Sequence, residues 1–132
     1  MAKAMKAKQL SFFLPNRPGL LSEVSSAIAG AKVNVTAICA YEMGETAYFV
    51  MNVDSNAKAK KALKAIGADV KEEDVVVVEM PNKVGELEKV AKRIADAGIN
   101  IEYIYGTTSA GKTSTCIFKT ADNKKVIRVI NK

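Results

Sequence analysis

The chain of 132 residues has no histidine and no tryptophan. Without histidine it lacks the commonest general base and the commonest transition-metal ligand. Its two cysteines, Cys39 and Cys116, form no CxxC pair and are too few for a disulfide framework. That usage suits a reducing cytoplasm, where a free Cys in an apolar stretch behaves as a small hydrophobe. No apolar run approaches the ~20 residues of a membrane span. The opening MAKAMKAK has charge but no apolar stretch behind it, so it reads as a basic tail rather than a secretory signal. Arginine is scarce, although the net charge is +6. Much of the excess is lysine in that tail and at Lys58, Lys60, Lys61 and Lys64, which reads as a solubilising surface. Arginine is what bidentate recognition of polyanions prefers.

Catalytic signatures are missing too. No nucleophile–base pair, metal-ligand cluster or dinucleotide-binding glycine fingerprint is present. The stretch from Gly106 to Thr113 ends in Gly111-Lys112-Thr113, which resembles the end of a P-loop. The residues after Thr113 are strand-like, whereas a P-loop opens a helix. The reading is therefore not an enzyme, with no catalytic residues, no metal and no cofactor.

The chain does have a sentence said twice. Pro15-Asn16-Arg17-Pro18-Gly19-Leu20-Leu21 returns 66 positions later as Pro81-Asn82-Lys83-Val84-Gly85-Glu86-Leu87. The register holds through Val24/Val90, Ile28/Ile94 and Ala31/Ala97. It continues in Val33-Asn34-Val35 against Ile99-Asn100-Ile101. A period near half the chain length means one duplicated unit, not a solenoid. Each half alone would bury only ~60% of its unfolded surface, so the two copies are expected to pack together. Asn16/Asn82 and Asn34/Asn100 recur at places where a core does not need them, which marks them as candidate binding residues.

Within the first copy, residues 9–14 read as a strand and Asn16-Arg17-Pro18-Gly19 as its break. Pro18 suits the first turn of a helix, and Leu21, Val24 and Ile28 come next at helical spacing. Residues 33–41 and 46–53 are strands around a turn at Met43-Gly44-Glu45. Ser55 caps a helix carrying Ala59, Leu63 and Ile66 that stops at Gly67. A brief strand follows near Val70. The second copy repeats this: a strand over 75–80, a helix through Val90 and Ile94, and strands over 99–107 and 113–120 joined at Ser109-Ala110-Gly111. Asp122 or Asn123 caps a last segment, 126–130, that fits either a helix or a strand. The predicted class is α+β: two ferredoxin-like βαββαβ units packed together, the second with an incomplete or absent last strand. The division falls between 1–72, with the basic tail, and 73–132. Alternation puts Phe12, Phe49 and Met51 under the helices and Phe13, Tyr48 and Val50 on the opposite face. Two apolar faces call for two covers, hence an expected homodimer.

A strand, then Asn-Arg-Pro-Gly-Leu-Leu, then an amphipathic helix, then Val-Asn-Val opening the next strand resembles the ACT domain, a small regulatory module that binds amino acids. The resemblance covers both copies, so the whole is similar to a stand-alone tandem ACT protein. Asn82-Lys83-Val84-Gly85-Glu86-Leu87 is the looser match, lacking the second proline. The resemblance implies domains paired edge to edge, with an amino acid held at the seam between them. The strand–helix loop would cradle it through Asn16, Arg17, Pro18, Gly19, Leu20 and Leu21, or through Asn82, Gly85, Glu86 and Leu87. Asn34 and Asn100 would reach it from across the interface. It also implies a separate metabolic enzyme as the regulated partner. Leu14 and Met80 stand where some members carry a polar residue, a departure that would shift preference toward apolar ligands or leave a site empty. Glu86 in place of Leu20 sets a negative charge where a ligand carboxylate would lie.

Elementary chemistry supports the same loop. A helix start offers unpaired N–H groups and partial positive charge to a carboxylate. Glycine lets backbone approach a ligand, and asparagine can donate and accept. The bland alternative is turn geometry and helix capping by the asparagines. At the level of function the alternatives are a dimerisation module with vacant sites and an RNA-binding ferredoxin-like protein, with Phe13 and Tyr48 as stacking rings. The RNP pattern is missing, so nucleic acid is not the expected partner, and neither is a membrane.

Overall fold

The computed structural model of the protein describes residues 1–108 and 111–132. The element order is β1 (Lys3–Pro15), α1 (Leu20–Gly30), β2 (Val35–Met43), β3 (Thr46–Val53), α2 (Asn56–Ala65), β4 (Lys71–Pro81), α3 (Glu86–Asp96), β5 (Ile101–Thr108), β6 (Thr113–Thr120) and α4 (Asn123–Asn131). The class is the α+β arrangement of two βαββαβ units read from the sequence. The expected turn at 109–111 includes Ser109 and Ala110, which lie outside the described residues. The chain forms two compact units, residues 8–73 and residues 1–7 with 74–132.

In the unit of 8–73 the strand order is β2-β3-β1-β4, with β4 represented by residues 71–73. The β1–β3 register sets Phe12 opposite Phe49 and Phe13 opposite Tyr48. Strict alternation then decides the faces. Phe12 and Phe49 are 3% exposed, stacked with ring centroids 4.9 Å apart, and packed with Leu20, Val24, Ile28 and Leu63 beneath α1 and α2. Each such side chain removed from water contributes about 1.5–3 kcal/mol. On the opposite face Phe13, Tyr48 and Tyr41 form one cross-strand row, and Phe13 is 59% exposed. Ser55 caps α2 as expected, its hydroxyl accepting from Lys58 N–H at 3.4 Å. Buried Gln9 is satisfied by donating to Glu73 Oε1 at 3.2 Å.

The other unit has the order β1-β4-β6-β5. Its core gathers Val76, Val78, Met80, Val90, Ile94, Phe118, Val126 and Ile130. The segment 126–130 is helical, and Asp122 caps it by accepting from Lys125 N–H at 3.1 Å. Asn123 instead ties strand ends together, donating to Asp74 O at 2.9 Å and accepting from Thr120 Oγ1 at 2.7 Å. Among the described residues no strand follows α4, in keeping with the sequence reading.

The basic tail is a correction. Residues 3–7 are strand, they belong to the unit of 74–132, and they stand beside β4 where a fourth strand belongs. Ala4 is 4% exposed in that unit's core, while Lys3, Met5 and Lys6 point outward. The lysines masked a period of two in the small residues Ala2 and Ala4. Asn131 locks the strand at both backbone groups of one residue: Ala4 N donates to Asn131 Oδ1 at 2.7 Å, and Asn131 Nδ2 donates to Ala4 O at 2.8 Å.

Replacing Asn131 by alanine removes both bonds, each worth about 1 kcal/mol net. The expected loss of stability in urea unfolding is about 1–3 kcal/mol, against under about 0.5 kcal/mol for the exposed neighbour Lys132→Ala. Equal, small effects at the two positions would show that the first residues do not complete this unit.

Candidate functional site

The repeated sentence folds the same way twice. β1 ends at Pro15, the chain turns through Asn16, Arg17 and Pro18, and Gly19 precedes α1 with φ 87°. Gly85 repeats this before α3, also at φ 87°. That torsion is open to glycine and costs other residues roughly 1–2 kcal/mol. Pro18 lies in the turn ahead of the helix, not in its first turn. Neither helix has a side-chain cap. The capping role open to Asn16 and Asn82 is therefore not the one they play. Their backbone N–H groups tie the loop to the neighbouring hairpin: Asn16 N donates to Glu45 O, and Asn82 N donates to Lys112 O, both at 2.8 Å. Their side chains do likewise, Asn16 Nδ2 donating to Glu42 Oε2 at 2.6 Å and Asn82 Nδ2 to Gly111 O at 3.2 Å.

A cleft opens beside each loop. In the unit of 8–73 it has about 300 Å³. Asn16, Arg17, Gly19 and Leu21 wall it from the loop and helix, while Ala40, Tyr41 and Glu42 of β2 and Ala47 and Phe49 of β3 face them. Leu20 reaches down into the core at 3% exposure, and Leu21 stands at the cleft 57% exposed. Arg17 pairs with Glu23 one turn into the helix. In the unit of 74–132 the cleft has about 270 Å³. Asn82, Lys83, Glu86 and Leu87 supply one wall, and Gly106, Ser114 and Cys116 lie on the strand side. Glu86 is the first residue of α3 and accepts from Lys89 Nζ at 2.8 Å. Burial pushes the Cys116 thiol up from its ordinary range.

Of the residues chosen from sequence, Asn16, Arg17, Gly19, Leu20 and Leu21 therefore meet at one cleft, and Asn82, Glu86 and Leu87 at the other, with Pro18 and Gly85 in the loops themselves. Asn34 and Asn100 stand apart within their own units. Asn34 precedes β2, its N–H donating to Asp54 Oδ1 at 3.0 Å. Asn100 O accepts from Ala121 N–H at 3.0 Å. Glu42, at the cleft, lies eight residues along the extended chain from Asn34, roughly 25 Å at strand rise. Sequence reading missed the hairpin side of each cleft. The only available signal was strand alternation at Ala47 and Phe49, and it does not reveal which loop those residues face.

Gly106 to Thr113 has the GxxxxGKT spacing of a P-loop. Its described residues, however, belong to the β5–β6 hairpin, with Gly106 and Thr107 in β5 and Thr113 opening β6, so no helix N-terminus comes after it. Among the described residues no group of three or more His, Cys, Asp or Glu is placed to hold a metal. No helix among them is long and apolar enough to cross a membrane. The aromatic row Phe13–Tyr48–Tyr41 has no duplicate. With residues paired through the strand registers, its counterparts are Glu79, Thr115 and Thr107.

The sequence model of the ACT domain pair matches residues 5–132. Among solved structures, a protein of Bacteroides thetaiotaomicron is 34% identical, with 97% of this chain and 88% of that one covered and a TM-score of 0.88. The ligand-free regulatory subunit of aspartate kinase from Thermus thermophilus shares the fold at 19% identity, covering 97% and 94%, with a TM-score of 0.69. The corresponding subunit from Thermus flavus does so at 19% identity, covering 98% and 95%, with a TM-score of 0.65. No curated protein is similar to the chain in sequence.

The second cleft carries a pH signature. The hydrogen bond from Lys89 holds the Glu86 carboxyl below its usual range, assisted by the charges of Lys89 and Lys83 and opposed by desolvation. A lowered folded-state value adds stability that is complete above the ordinary carboxylate range and is lost as pH falls through the lowered value. The stability gap between the native protein and Glu86→Gln is therefore expected to be larger at pH 7 than near pH 3, read by urea unfolding at both. A gap independent of pH would contradict the pairing.

Proposed function

Because the chain belongs to the ACT-domain family, as a pair of ACT domains, we propose that it is a regulatory protein that binds a free amino acid and modulates a separate metabolic enzyme. The observation that carries this reading is the duplicated cleft: about 300 Å³ and about 270 Å³ of space at the uncapped start of α1 and of α3. Such a helix start presents N–H groups without intrahelical partners, together with partial positive charge, although the first of them, Leu20 N–H and Glu86 N–H, turn back to Arg17 O at 3.2 Å and Lys83 O at 3.4 Å. A ligand carboxylate satisfies the remaining N–H groups and the charge. The positive φ at Gly19 leaves nothing within 4 Å of where a Cβ would project, so the backbone is approachable. Asn16 and Glu42 add polar groups for the ammonium, and Leu21 offers apolar surface. Asn34 and Asn100 would complete such a site from another ACT-like unit, since neither reaches the cleft of its own. The regulatory-subunit structures share the fold, which suits a partner enzyme on a separate chain.

The same reading includes a homodimer in the cytoplasm. Phe13, Tyr41 and Met43 are 59%, 51% and 63% exposed on the unit of 8–73, a grouping that a soluble surface normally covers. Light scattering at micromolar concentration is expected to give twice the 14.2 kDa chain mass. A monomer would refute the dimer and leave amino-acid binding untouched.

A thermal-shift screen against the free amino acids tests the binding. A ligand at 100 times its dissociation constant adds ~2.7 kcal/mol of apparent stability. RNA homopolymers form the opposing arm, and a shift with RNA alone would overturn the reading. By calorimetry, Asn34→Ala is expected to weaken the ligand by roughly ten- to a hundredfold, the loss of a hydrogen bond to a charged group worth ~1.5–3 kcal/mol. Gly19→Val is expected to be harsher, since it strains the turn and blocks the backbone. Asn100→Ala should matter less, because Glu86 opposes a carboxylate in the second cleft. Unaltered affinity in both asparagine variants would mean that these residues only shape turns.

A further inference from the structure

The two clefts occupy the same place in their units but differ in their floors, although the second keeps the buried Met80. With residues paired through the helix starts and strand registers, Leu20 becomes Glu86, Ala40 becomes Gly106, Ala47 becomes Ser114 and Phe49 becomes Cys116. In the first cleft Leu20, Ala47 and Phe49 are buried hydrophobics at 3%, 6% and 3% exposure. In the second, every one of these positions is smaller or more polar. Glu86 brings a carboxylate that stays ionised at neutral pH and can only accept hydrogen bonds. Lys89 Nζ occupies one of its acceptor positions at 2.8 Å, and a carboxylate has others to offer a ligand. Ser114 brings a hydroxyl into the same cleft.

From this contrast we infer that the chain senses two different amino acids: the cleft of Leu20 and Phe49 takes one with an apolar side chain, and the cleft of Glu86 and Ser114 takes one whose side chain donates hydrogen bonds. The inference rests on the amino-acid reading of the two clefts and sharpens it. The buried floor of Leu20, Ala47 and Phe49 offers a polar side chain no partner at its base, the polar groups Asn16, Arg17 and Glu42 standing on the exposed rim. An acceptor-only carboxylate rejects an acidic side chain by repulsion and gains nothing from an apolar one, while a hydroxyl, amide or ammonium donor satisfies it. A site built to hydrogen-bond its ligand also discriminates strongly against analogues lacking the donor, since its own polar groups are then left unpaired. Two such sites on one chain make the protein a reader of two concentrations.

Calorimetry with leucine, threonine and lysine as probes tests this on the full chain. The expected result is one leucine per chain, and one threonine or lysine per chain bound independently of the leucine. The double variant Glu86→Leu with Ser114→Ala, both at partly exposed positions, is expected to bind two leucines per chain. It should lose threonine and lysine binding by more than tenfold. The single variant Glu86→Gln, which keeps a polar side chain at nearly unchanged volume, is expected to weaken lysine while retaining threonine. One probe filling both sites of the native protein would overturn the inference and leave the amino-acid reading standing. So would unchanged threonine and lysine affinity in a double variant whose unfolding curve shows it folded. No binding of any amino acid to the native protein would overturn both.

Discussion

Each cleft depends on one backbone torsion. At Gly19 and at Gly85 the chain takes φ 87°, and the helix starts there without a side-chain cap. An ordinary N-cap residue would fill the helix start with its own oxygen. Glycine leaves it open, and the turn it permits sets the loop against the adjoining hairpin. The bonds from Asn16 N to Glu45 O and from Asn82 N to Lys112 O fix that distance. Loop, helix start and hairpin are then three walls of a cleft whose shape is set by main chain and whose lining is left to side chains. The duplication kept the main-chain part closely and let the side-chain part drift, as Leu20/Glu86 and Phe49/Cys116 show.

The strands that carry these loops do two jobs. β1 gives residues 3–7 to one unit and 8–15 to the other, and β4 divides in the same way at residue 74. Each unit thereby obtains a fourth strand, although among the described residues none follows α4. The order in space is that of a βαββαβ unit in both cases, but in the unit of 74–132 the last strand comes first in sequence. Asn131, at the end of the chain, holds Ala4 near its beginning through both backbone groups. β4 runs from this arrangement directly into the loop at Asn82.

Much of this was legible in the residues. The 66-residue echo gave the duplication, helical spacing gave α1 and α3, and alternation put Phe12 and Phe49 inside and Phe13 outside. The loop residues of each cleft came from the repeat. Other features were hidden for physical reasons. The strand at residues 3–7 looked like a tail, because its inward residues are alanines, too small to signal burial against three lysines. The ambiguity at 126–130 arose because five residues fit either period, and only the Asp122 cap and packing against α3 decide it. Capping by the asparagines stood as the bland alternative because sequence shows proximity to a helix start, not the hairpin 26 or 29 residues away that takes the side chain. The hairpin walls of both clefts were invisible for the same reason: register is a property of paired strands.

The central claim is that a free amino acid binds at the open helix starts. The most direct measurement is a backbone-amide nuclear magnetic resonance titration of the full chain with the amino acids that raise its melting temperature. The account predicts saturable shifts at the amides of Gly19, Leu20 and Leu21 or of Gly85, Glu86 and Leu87, together with Asn34 or Asn100. Shifts confined to other surfaces, such as the α1–α2 groove at Ala27 and Lys61, would contradict it.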